Sequence, residues 1–112
     1  MTKVLPQWDG VVMQVDSHNF ETEVINANKP VLVDFWSPTC TPCRNLIPTV
    51  EAFAKKYKDK IKVVKIDVSE NSALACKYSI GSIPNILLFK DKEVKGQIIG
   101  SFRGPKLEKL IS

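Results

Sequence analysis

Residues 31–57 read VLVDFWSPTCTPCRNLIPTVEAFAKKY, and the rest of the chain is organised around them. Val31 to Trp36 is apolar except for Asp34, a near-continuous run that suits a parallel strand covered on both faces. Leu46, Ile47, Val50, Phe53, Ala54 and Tyr57 recur at three-and-four spacing, so they predict one apolar face of a long amphipathic helix. Cys40 and Cys43 sit where the turn between strand and helix meets the helix. Pro42 falls at or near the first helical position, where its missing N–H costs nothing. A helix start offers unpaired N–H groups and the positive end of the dipole. A thiol placed there is partly stabilised as thiolate, the form that attacks disulfides.

Working outward, Lys60 to Val68 (KIKVVKIDV) predicts a second buried strand containing Lys65. Ser69 is expected to cap a helix through about Tyr78. Gly81 and Ser82 break the chain before Ile83, Pro84 and Asn85, and Ile86 to Phe89 predicts another strand. KDKE at 90–93 is a polar turn, Val94 to Phe102 a strand, and Lys106 to Ile111 a short last helix. Upstream, Val11 to Asp16 is a short strand, and Ser17 is expected to cap a helix from about His18 to Asn26. Residues 1–10 read as an N-terminal arm in which Trp8 either anchors a partner or folds back. The order β-α-β-α-β-α-β-β-α implies an α/β fold: a largely parallel sheet with helices on both faces and an antiparallel hairpin at one end. The whole chain, 1–112, is expected to form one domain.

The chain has 112 residues, enough for one domain to bury its own core. It is 44% hydrophobic and 25% charged, an ordinary composition for a soluble protein. No apolar run approaches the roughly 20 residues of a membrane span, and MTKVLPQWDG lacks the apolar segment of a signal peptide. Net charge is +4, but the cluster Lys55, Lys56, Lys58, Lys60 and Lys62 is interrupted by Asp59 and reads as solvated surface. Neither a nucleic-acid nor a membrane partner is expected. Three cysteines, two of them in a C-x-x-C, argue against a disulfide scaffold and for a reducing, cytoplasmic compartment. Zinc would want four ligands, and only Cys76 and His18 could join the pair, neither at finger spacing. His18 reads as an exposed surface histidine. Cys76 reads as a passive small residue, with a regulatory thiol as the alternative.

A C-x-x-C that follows a buried strand and opens an amphipathic helix points to redox chemistry. A permanent stabilising disulfide is the plainer reading, but so short a loop gains little closure entropy. Cys40, nearer the exposed turn, is expected to be the nucleophile. Cys43, one step into the helix, is expected to be shielded. Asp34 is a carboxylate in an apolar strand; burial raises such a pKa and makes it an acid/base candidate. A purely structural pairing at a strand end is the other reading. Lys65 either faces Asp34 or carries its ammonium out to solvent. Pro84 either opens an edge strand or marks a special peptide bond.

FWSPTCTPC resembles the FWAxWCGPC of the thioredoxin family, and the resemblance runs from about Val11 to the end. It implies the thioredoxin fold, with Val31 to Trp36 at the centre of the sheet. It implies that Cys40 attacks and Cys43 resolves. Asp34 would move the resolving thiol's proton through water, and Lys65 would pair with Asp34. It implies a cis bond before Pro84 and a substrate groove at Trp36, Thr41, Pro42, Ile83, Pro84 and Asn85. Ile83 and Asn85 would offer backbone groups to an extended peptide. The chain departs from the family at Thr39, usually tryptophan, at Thr41, usually glycine, and at Asn85, usually threonine. Pro48 matches a family proline and is expected to kink the long helix.

The function expected is a cytoplasmic, monomeric protein-disulfide reductase. It would act on disulfide-containing proteins, need no bound cofactor, and be re-reduced by a separate thioredoxin reductase, NADPH-fed or ferredoxin-dependent. A disulfide oxidase or isomerase on the same fold is one alternative. A non-enzymatic interaction module is the other.

Overall fold

Strand β2, Val31–Trp36, lies at the centre of a five-stranded sheet. In a computed structural model, which describes residues 10–112, the sheet order is β1-β3-β2-β4-β5. The other strands are β1 (Met13–Gln14), β3 (Lys62–Asp67), β4 (Asn85–Lys90) and β5 (Glu93–Ile99). The helices are α1 (Thr41–Asn45), α2 (Ile47–Lys56), α3 (Ser72–Lys77) and α4 (Gly104–Ile111), with a π-helical turn over Glu21–Ile25. Strands β1, β3 and β2 run parallel; β4 runs antiparallel to both β2 and β5. The sheet is mixed, and its antiparallel part reaches one strand further inward than the terminal hairpin. Residues 1–9 of the expected arm, Trp8 among them, lie outside the described residues.

Alternation along β2 divides the core. Val31, Val33 and Phe35 pack on one face with Phe20 and Val24 of the π-helical segment and Leu74 of α3. Phe20, Tyr78 and Phe89 meet there with ring centres 5.3 to 5.8 Å apart. Leu32 packs on the opposite face with Leu46, Val50, Phe53 and Ala54 and with Leu107 of α4. Phe35 is completely buried; cutting such a ring back to alanine costs about 3–5 kcal/mol. Asp34, one residue on from Val33, is thereby directed toward the α2 face, where it shares a small cavity with Ile47 and Val50.

Four local expectations are corrected. The long helix is two helices, because Pro48 has no N–H to give the Arg44 carbonyl; Leu46 turns back to Cys43 O at 3.2 Å and Val50 restarts the ladder on Leu46 O. Ser17 does not cap the segment after it. Asp16 Oδ1 accepts from the N–H groups of His18 (2.8 Å) and Asn19 (3.2 Å) instead, and the winding is π, with Asn26 N–H on Glu21 O. Ser69 does not cap α3, since both its N–H and its hydroxyl are spent on Asp67 Oδ1 at 2.9 and 2.6 Å. Strand β5 stops at Ile99, where Gly100, at φ +90°, turns the chain. At the other end of β5, Asp91 and Lys92 take left-handed conformations to close the hairpin.

Candidate active site

The site begins where β2 ends. Trp36 is half-buried and its carbonyl accepts from Val68 N–H, which ties the strand end to β3. Ser37 follows, 7% exposed. Its carbonyl accepts from Cys40 N–H at 3.1 Å, which closes the turn before the cysteines. Cys40 is the N-cap of α1, in an extended conformation, with Pro42 in the first helical turn. Its Sγ accepts the Cys43 N–H at 3.2 Å, and its carbonyl accepts Arg44 N–H at 3.0 Å. Cys40 and Cys43 are disulfide-bonded, with their Cα atoms 5.3 Å apart. Cys40 is half-exposed, whereas Cys43 is 2% exposed and sits against the core beside Leu46. Thr41 and Pro42 are exposed next to them.

Asp34 is 6% exposed, and its Oδ1 has no hydrogen-bond partner among the described residues. Burial pushes its pKa up from 3.8 to about 7, against the pull of the nearby Lys65 charge. Asp34 and Lys65 are register partners across β2 and β3. No Asp34–Lys65 ion pair is found among the described residues; the Lys65 ammonium lies over the Trp36 ring, 4.9 Å from its centre. The pairing implied by the resemblance is therefore a neighbouring charge and not a contact. The cavity at Asp34 is lined by Val12, Ile47, Val50, Glu51 and Lys65, with about 10 Å³ of free space, room for about one water. Ile47, Val50 and Glu51 all belong to α2, so the carboxyl lies under the start of the helix that follows the cysteine-bearing α1.

Asn85 pairs with Phe35, which brings Ile83 and Pro84 to the sheet end that carries residues 37–43. The Ile83–Pro84 peptide is cis, Pro84 is buried and Ile83 is half-buried. The Pro84 carbonyl accepts Gly100 N–H at 2.8 Å. Asn85 departs from its expected role at the groove. It is 1% exposed, its backbone lies between Phe35 and Ile99, and its side chain binds Ser82 O and Gln97 Nε2 at 3.3 and 3.0 Å. Its amide is spent inside the protein.

His18 and Cys76 are both exposed and lie outside this constellation. Among the described residues, no three His, Cys, Asp or Glu side chains cluster as metal ligands. Sequence reasoning passed over Ser37, Glu51 and Gly100. A serine after a buried strand and a glycine after an exposed one carry no chemical signature until the fold assigns their neighbours.

The thioredoxin family profile matches residues 11–112. A thioredoxin of Porphyra purpurea is 45% identical over 101 residues, covering 90% of this chain and 94% of its own. One of Pyropia yezoensis is 48% identical over 90 residues, covering 80% and 84%. Thioredoxin 1 of Synechococcus elongatus is 42% identical over 91 residues, covering 81% and 85%.

Proposed function

The chain belongs to the thioredoxin family of protein-disulfide oxidoreductases, and from that premise we propose that it reduces protein disulfides with Cys40 as the attacking sulfur and Cys43 as the resolving one. The observation that carries this reading is the unequal exposure of the two sulfurs, Cys40 half-open to solvent and Cys43 2% exposed. A bulky substrate disulfide reaches only the open one.

In the reduced protein the Cys40 thiolate attacks one sulfur of the substrate disulfide. A mixed disulfide forms and the other substrate sulfur leaves as thiolate. Cys43 then loses its proton and attacks Cys40 Sγ. The second substrate thiolate leaves and the Cys40–Cys43 disulfide closes. Two electrons pass to the substrate, whose thiolates take up two protons. The α1 terminus favours the Cys40 thiolate by directing the Cys43 N–H at Sγ. Asp34 receives the Cys43 proton through a water in its cavity; a pKa of about 7 keeps it half-ionised at neutral pH and suits it to both giving and taking a proton. Lys65 tunes that carboxyl by charge. Trp36, Thr41, Pro42, Ile83 and Pro84 form the surface that a substrate segment meets.

Both electrons reside in the two sulfurs, so turnover needs no bound cofactor, and a separate thioredoxin reductase restores the dithiol. The exposed thiol of Cys76 suits a reducing, cytoplasmic compartment. The protein is taken to work as a monomer of one domain. A redox titration of the Cys40–Cys43 pair, with turnover of a protein disulfide driven by dithiothreitol, tests the reading. A reductase shows a potential well below that of disulfide oxidants together with dithiothreitol-dependent turnover. An oxidising potential, or no turnover, contradicts it.

A further inference from the structure

The turn that presents Cys40 is held by a pair of hydroxyls. Ser37 and Thr39 bring Oγ and Oγ1 to 3.1 Å, and either can donate. Ser37 Oγ also accepts the Thr39 N–H at 3.4 Å, while the Ser37 carbonyl accepts the Cys40 N–H at 3.1 Å. Pro38, between them, has no N–H to contribute. Ser37 is 7% exposed just past the end of β2; Thr39 is exposed and is tied to it through these contacts. Beyond Cys40 the anchors in this oxidised form are the disulfide to Cys43, the Cys43 N–H on Sγ and the Arg44 N–H on the carbonyl; once the disulfide is reduced, the two N–H contacts are what remain on that side. Cys40 is therefore gripped on both sides, by α1 after it and by Ser37 before it.

We infer that Ser37 and Thr39 act together as positioning residues that keep Cys40 Sγ on the Cys43 N–H. Without the hydroxyl pair the turn opens, Cys40 spends time away from the helix terminus, and its thiolate loses the donor that stabilises it. A purely structural role would lower the melting temperature and leave Cys40 chemistry unchanged. The inference rests on Cys40 being the reactive sulfur, so the test reports on that assignment separately.

The experiment is the pH profile of iodoacetamide alkylation of the reduced full chain, with the modified cysteine located by mass spectrometry. Ser37→Ala and Thr39→Val should each move the midpoint for Cys40 upward and slow its alkylation below that midpoint by roughly two- to tenfold, the range of one net hydrogen bond. The double variant should be no worse than either single one, and Thr39→Ser should keep the wild-type profile. Thr39→Val changes an exposed residue and keeps the test open should Ser37→Ala fold poorly. Wild-type profiles for Thr39→Val and Ser37→Ala, with Cys40 still the labelled sulfur, would overturn the inference alone. Additive effects of the two would also overturn it, because the hydroxyls would then act separately. Labelling of Cys43 first in the wild type would instead overturn the assignment of roles beneath it.

Discussion

Lys65 stands beside Asp34 in the β2–β3 register, yet its ammonium lies over the Trp36 ring, 4.9 Å from the ring centre. Asp34 is left buried with an unpartnered oxygen, and desolvation outweighs the neighbouring charge in setting its pKa near 7. The consequence for stability has a definite sign. A folded-state pKa above the unfolded value of 3.8 favours folding fully below about pH 4, and this advantage is lost as pH rises through about 7. Across that window the oxidised protein should lose stability relative to Asp34→Asn, by an amount on the order of a few kcal/mol. Urea unfolding of both proteins at pH 4, 5.5, 7 and 8.5 measures it. A constant difference between them would contradict a raised pKa.

The same carboxyl should show in turnover. Asp34→Asn should slow disulfide reduction by about a hundredfold, the lower end of general acid–base effects. It should also remove the rise in wild-type rate through neutral pH. Identical profiles for the two proteins between pH 6 and 9 would remove Asp34 from the proton path.

Gly100 holds φ at +90° with no atom within 4 Å of the place a Cβ would occupy. Gly100→Ala should therefore cost backbone strain and no steric clash, about 1–2 kcal/mol. Its N–H anchors the Pro84 carbonyl at 2.8 Å. The loss in urea midpoint should be accompanied by weaker binding of a substrate peptide trapped at the site. Wild-type values for both would show that the turn tolerates a side chain.

Cys76 lies exposed on α3, outside the site. Cys76→Ser should keep full turnover under reducing conditions. A large loss in a dithiothreitol-driven assay would reveal a third working thiol.

Much of this was legible in the residues. The apolar run of β2, the three-and-four spacing after it and the cysteines between them define the central strand and the helical segment that carries the sulfurs. The shielding of Cys43 also follows from its position next to Leu46. The break between α1 and α2 was half legible: Pro48 announces it, but the turn falls back at Leu46. The caps were misassigned because Asp16 outcompetes Ser17 as acceptor, and because Ser69 is committed to Asp67. Asn85 as a groove residue came from resemblance, and the sheet buries it between Phe35 and Ile99. The direction of the Lys65 side chain and the Ser37–Thr39 pair were out of reach, since both depend on rotamers set by packing in three dimensions.

The central claim is the division of labour between the two sulfurs, and trapping tests it most directly. Cys43→Ser leaves the exposed Cys40 able to attack but removes the internal escape from the mixed disulfide. It should accumulate covalent adducts with a protein disulfide substrate, joined through Cys40, while Cys40→Ser should accumulate few or none. Mass spectrometry of the adducts locates the bond. Adducts that form through Cys43 in Cys40→Ser, with none on Cys40 in Cys43→Ser, would reverse the roles and contradict the account.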